Sequence, residues 1–142
     1  MRDSKCQGPF VIAAVDPDAP TPQDPTSAQI RHFLGGNFTP NRSGLLSNST
    51  PAISEFRQPT PPAGSDAHRY EISDYTIPFP PLVEFAIIRY IFLLFEQPRG
   101  FNSQTVVNTT SPIQNFDIAA FASAVGLGDP IAGSFMLVAP DT

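Results

Sequence analysis

The chain has 142 residues and a formal net charge of −5, from 13 acidic and 8 basic side chains. Its 17 prolines exclude a helical bundle or coiled coil, because proline inside a helix removes a backbone donor and clashes with the preceding turn. Eight scattered basic residues in an acidic chain make no phosphate-neutralising patch, which argues against a nucleic-acid partner, and no apolar run approaches the roughly 20 residues of a membrane span.

The single cysteine, Cys6, excludes a disulfide framework and a CxxC metal site. The opening MRDSKCQGPF has no apolar h-region, so no signal peptide is read in it and the chain as given reads as cytoplasmic. Four N-glycosylation sequons pull the other way: Asn37, Asn41, Asn48 and Asn108 each stand two residues before Ser or Thr. They fit descent from a secreted protein whose signal lay further upstream.

In chain order, Phe10 to Val15 (FVIAAV) reads as a short buried strand between Gly8-Pro9 and Asp16-Pro17. Asp16 to Pro25 holds four prolines and three aspartates and reads as a rigid loop. Ile30 to Phe38 is a second strand, with His32 expected on one face and Arg31 and Phe33 on the other. A polar connection runs from Thr39 to Ser54. Residues 53–90 carry an internal repeat: Ile53-Ser54-Glu55-Phe56 recurs as Ile72-Ser73-Asp74-Tyr75, and Arg69-Tyr70 recurs as Arg89-Tyr90. Phe85 to Gln97 is the strongest strand, rich in Ile, Phe and Tyr and stopped by Pro98. Asp117 N-caps a short helix with Ile118, Phe121, Ala122 and Val125 on its apolar face, ended by Gly126 or Gly128. Ile131 to Ala139 is a final strand. These elements make a single, mainly β domain over 1–142, with a duplicated or inserted loop at about 53–90.

Chemistry concentrates at two places. In Asp16-Pro17-Asp18-Ala19-Pro20, two prolines hold φ fixed and direct the carboxylates. If the strand at 30–38 pairs beside 10–15, the His32 imidazole can meet Asp16 and become an anion binder. His68-Arg69-Tyr70 follows the Pro-Gly loop PPAGSDA and would suit a small anion through imidazole, phenol and loop N–H groups. GxSxG, HExxH and P-loop patterns are absent, so no hydrolase, metal or cofactor is read from motifs.

FVIAAVDPDAP followed by His32 resembles the first motif of the phosphatidylethanolamine-binding protein family, PPAGSDAHRY resembles its second, and FDIAAFASAVGLGDPIAGSFMLV its C-terminal helix and strand, closest to the fungal branch. The resemblance implies an antiparallel β-sandwich with one short C-terminal helix, shortened at its N-terminal side, and a shallow anion pocket. Carried over residue by residue, that pocket comprises Asp16, Ala19, His32, Pro62 or its second-copy counterpart Pro81, His68 and Tyr70, with Arg89 and Tyr90 as the second copy of the Arg-Tyr pair. Arg31 stands where a histidine is common and Ile30 where a tryptophan is common. The second motif is split, since the copy that runs into the strand has Ile88 in the histidine position. Burial of Ile91 to Phe95 is expected to place Ile88-Arg89-Tyr90 at the strand start and His68 on an inserted loop, which would damage the site, because isoleucine gives an anion no hydrogen bond.

The functional expectation is non-enzymatic binding of a phosphate-bearing or lipid headgroup around Asp16 and His32. The alternatives are an inhibitor of a serine carboxypeptidase or another protease, or a regulatory module that binds a kinase. A degenerate relative without retained binding is the third.

Overall fold

The computed structural model describes residues 8–60 and 88–138, excluding the side chains of 88 and 89. Cys6, Pro62, His68, Tyr70, Pro81, the Arg89 side chain and most of the repeat therefore lie outside the described residues.

Among the described residues five strands form a sheet: β1 (Phe10–Asp16), β2 (Ile30–Pro40), β3 (Leu46–Ser47), β4 (Ile88–Glu96) and β5 (Ala132–Val138). Their order is β3-β2-β1-β4-β5, and every pairing is antiparallel. The most apolar run, β1, lies at the centre, with Val11, Ala13 and Ala14 all 0% exposed. Burial on both faces explains why FVIAAV shows no polar alternation. β4 starts with Ile88-Arg89-Tyr90, as expected from the apolar residues that follow. β3 falls inside the segment read as a polar connection. It is two residues long, paired Thr39 to Ser47 and Pro40 to Leu46, too short for a hydrophobic period to mark.

One face of the sheet carries the main core. Val11, Ala13, Val15, Leu34 and Phe95 pack against Phe101, Phe116, Ile118, Phe121 and Ala122. The last four come from α1 (Ile118–Val125) and the residue two before it. The Asp117 carboxylate accepts the Ala120 N–H at 2.9 Å and caps the helix. Gly126, at φ 73°, closes it in the left-handed conformation that glycine adopts without steric cost. A short 3-10 turn, Phe101–Ser103, sets Phe101 into the core.

The β1–β2 ladder slips between Ala14 and Val15: Ala14 faces Phe33, while Val15 faces Arg31. His32 is the extra residue of a β-bulge. A bulge opposes two residues to one and re-aims the side chain beside it. Cross-strand partners share a face, so Arg31 joins the Val15 side, and Phe33 joins the Ala14 side. This corrects the expected alternation, which grouped Arg31 with Phe33. The slip depends on the partner strand, so local period does not reveal it.

Candidate functional site

The bulge re-aims His32 toward Tyr90 of β4 at the end of β1. The His32 ring meets the Tyr90 ring edge-on, with centroids 4.6 Å apart and planes at 80°. Tyr90 lies in β4 one step beyond the Val15–Ile91 pair, which sets it beside Asp16. Asp16, His32 and Tyr90 are all buried, at 3%, 7% and 2% exposure. Two strands flanking the central one thus converge on its end, where the His32 ring meets Tyr90.

The details differ from a carboxylate-supported imidazole. His32 Nδ1 is 2.8 Å from the Arg57 carbonyl oxygen. A carbonyl only accepts, so Nδ1 carries the proton. The Arg57 N–H returns a bond to the His32 carbonyl at 2.9 Å, which fixes segment 54–57 along β2. His32 Nε2 is buried and has no hydrogen-bond partner among the described residues. The Asp16 Oδ1 accepts the Asp18 N–H at 2.8 Å, the local turn that aspartate favours. Burial, reinforced by the Asp16 charge, raises the Tyr90 pKa above its ordinary value, so the phenol stays protonated and able to donate. Ala19 is also buried, and its carbonyl accepts the Ser27 N–H at 3.0 Å, which closes the proline-rich loop.

Arg31 occupies the other side of the bulge and is 1% exposed. Its Nε donates to Ser54 Oγ at 2.7 Å, Nη1 to the Pro112 carbonyl at 3.2 Å, and Nη2 to the Ser111 carbonyl at 3.0 Å. The guanidinium carbon lies 5.0 Å from the centre of the Phe116 ring, a cation–π contact. Burial lowers the Arg31 pKa, and the nearby Arg57 charge adds to the shift. Sequence reasoning marked Arg31 only as a departure from a motif and missed Arg57 altogether. No residue type announces a backbone carbonyl that orients a histidine.

The four sequons fall on the surface in different states. Asn41, Asn48 and Asn108 are exposed. Asn37 has φ 61° and donates its side-chain amide to Thr50 Oγ1 at 3.0 Å.

Comparison with known proteins agrees with the geometry. The family model for phosphatidylethanolamine-binding protein matches residues 2–136. A 26 kDa secreted antigen of Toxocara canis is 27% identical over 129 residues, which are 89% of this chain and 40% of the antigen. The chain therefore spans about two fifths of that relative. Among solved structures, carboxypeptidase Y inhibitor, crystallised in complex with its cognate proteinase, superposes with a TM-score of 0.70 at 18% identity. That match covers 99% of this chain and 64% of the inhibitor. The solution structure of CG7054 gives a TM-score of 0.60 at 26% identity, over 97% of this chain and 68% of the other. With the family model running along almost the whole sequence, the chain belongs to the phosphatidylethanolamine-binding protein family.

Proposed function

We propose that this chain is a non-enzymatic binding protein whose site at Asp16, His32 and Tyr90 takes a small oxyanion, either free phosphate or the phosphate of a lipid headgroup. The carrying observation is the buried Nε2 of His32, which has no partner among the described residues. A buried polar atom without a partner is uncommon and marks a place where a ligand completes the hydrogen bonding. With Nδ1 committed to the Arg57 carbonyl, the neutral ring offers a lone pair at Nε2. Only the imidazolium offers a donor there. An oxyanion therefore binds together with a proton, and the Tyr90 phenol supplies a second donor in the same corner.

The test is an NMR titration of the chain with inorganic phosphate, and with a soluble phosphoethanolamine, at several pH values. The expected result is saturable shifts at His32 and Tyr90. Affinity should rise as pH falls, since the bound state holds an additional proton. His32→Ala should abolish the shifts, and equal binding by wild type and variant overturns the reading. Pro62, Pro81, His68, Tyr70 and Arg89 belong to the same proposal as further contributors and are tested by alanine replacement in the same titration. A second reading, protease inhibition, draws on the neighbour solved with its proteinase. Dose-dependent inhibition of a serine carboxypeptidase that survives His32→Ala would favour it.

A further inference from the structure

We propose that the cleft between segments 52–57 and 109–113 is a second oxyanion site, separate from the His32 corner, in which Arg57 contacts the ligand and the buried Arg31 charge stands behind it. The cleft has a volume of about 390 Å³ and is lined by both arginines together with Ser54, Glu55, Thr109 and Ser111.

Charge carries the argument. Arg31 is fully buried and stays cationic at any ordinary pH. Its hydrogen bonds go to a hydroxyl and two carbonyls, and no carboxylate pairs with it among the described residues. Three of its five N–H groups are so used. Buried cations ordinarily have a counter-ion, because dipoles alone offset desolvation incompletely. Here the neighbouring charge has the same sign, since Arg57 sits close enough to disfavour the charged form of Arg31. In a chain of net charge −5, two of the four basic side chains among the described residues (Arg31, Arg42, Arg57 and Arg99) share this one cleft.

The acid at the rim, Glu55, has its Oε1 on the Ala52 N–H at 3.1 Å rather than on either arginine. Ser54 Oγ accepts from Arg31 and retains its own proton for donation. A carboxylate or phosphate oxygen beside Arg57 would supply the missing negative charge. Arginine is suited to such groups because its planar fork matches two oxygens at once.

The test is a titration of the full chain with phosphate and, separately, with acetate, followed by NMR at the Arg31 Nε–H and the backbone amides of Ser54, Arg57 and Ser111. Those resonances should move together and saturate. Arg57→Gln, which removes an exposed charge and keeps the backbone carbonyl, should weaken that binding by about tenfold. His32→Gln should keep the saturable shifts at Ser54 and Ser111, with a midpoint altered only through the shared Arg57 peptide, and this separates the cleft from the site proposed above. A response to phosphate alone assigns a phosphate ligand, and a response to both anions assigns the oxyanion class. Unchanged affinity in Arg57→Gln, shifts confined to His32 and Tyr90, or no saturable response to either anion overturns the proposal.

Discussion

Arg31 and His32 are neighbours in sequence with opposite assignments, one to each side of the sheet. The arginine ties together three segments remote in the chain: β2, Ser54, and the carbonyls of Ser111 and Pro112. Removing it leaves two part-buried carbonyls without their donors and uncovers the Phe116 ring. Arg31→Met should therefore destabilise the chain by about 3 kcal/mol, read as a lower denaturant midpoint with an unchanged m-value. Arg31→Lys keeps the charge but not the fork and should fall between the two. How the sequence reports on these residues differs. Asp16 and His32 were legible because a fixed acidic turn and a lone imidazole flank two strands of clear apolar character. The sequence suggests a carboxylate partner for the His32 ring, whereas its Nδ1 bonds to the Arg57 backbone. Main-chain acceptors are common to all residues, so side-chain pattern cannot select one.

At the level of elements, β1, β4 and α1 were readable from composition. FVIAAV and IIRYIFLLFE combine β-branched and aromatic residues with proline stops, and Asp117 and Gly126 cap the helix from either end. The bulge in β2 and the two-residue β3 were not readable, since both are consequences of pairing rather than of local preference. The turn after β4 shows a close approach that does leave a mark. A Cβ on Gly36 would stand 2.6 Å from Phe101 Cε1 and 2.7 Å from Gln97 Oε1. The Gln97 side chain is itself engaged, accepting the Asn37 N–H at 2.6 Å and donating to Asn37 Oδ1 at 2.8 Å. Gly36→Ala should push the 3-10 turn away from the sheet and cost about 1–3 kcal/mol. A thermal melt compares it with Gly44→Ala, whose Cβ meets nothing within 4 Å but whose φ of 80° carries its own backbone strain. Loss of Phe101 burial, seen as altered ring shifts, should accompany the first variant and not the second.

Across the whole molecule, β5 is the outer strand of the described sheet on the side opposite β3. It leaves Phe135 65% and Leu137 53% exposed. An outer strand with apolar side chains invites pairing with other chains. Phe135→Thr combined with Leu137→Lys should raise the concentration at which light scattering first detects association, with little change in melting temperature.

Arg57 has a wider consequence. Its carbonyl holds the imidazole and its guanidinium lines the cleft behind, so a single peptide unit is common to two compartments. Any displacement of that unit is felt in both, and the resulting cross-talk is reciprocal by thermodynamic necessity. On the two proposals above, an anion that drew the Arg57 side chain inward would change the hold on a ligand at the histidine, and a ligand at the histidine would change the hold on that anion to the same degree.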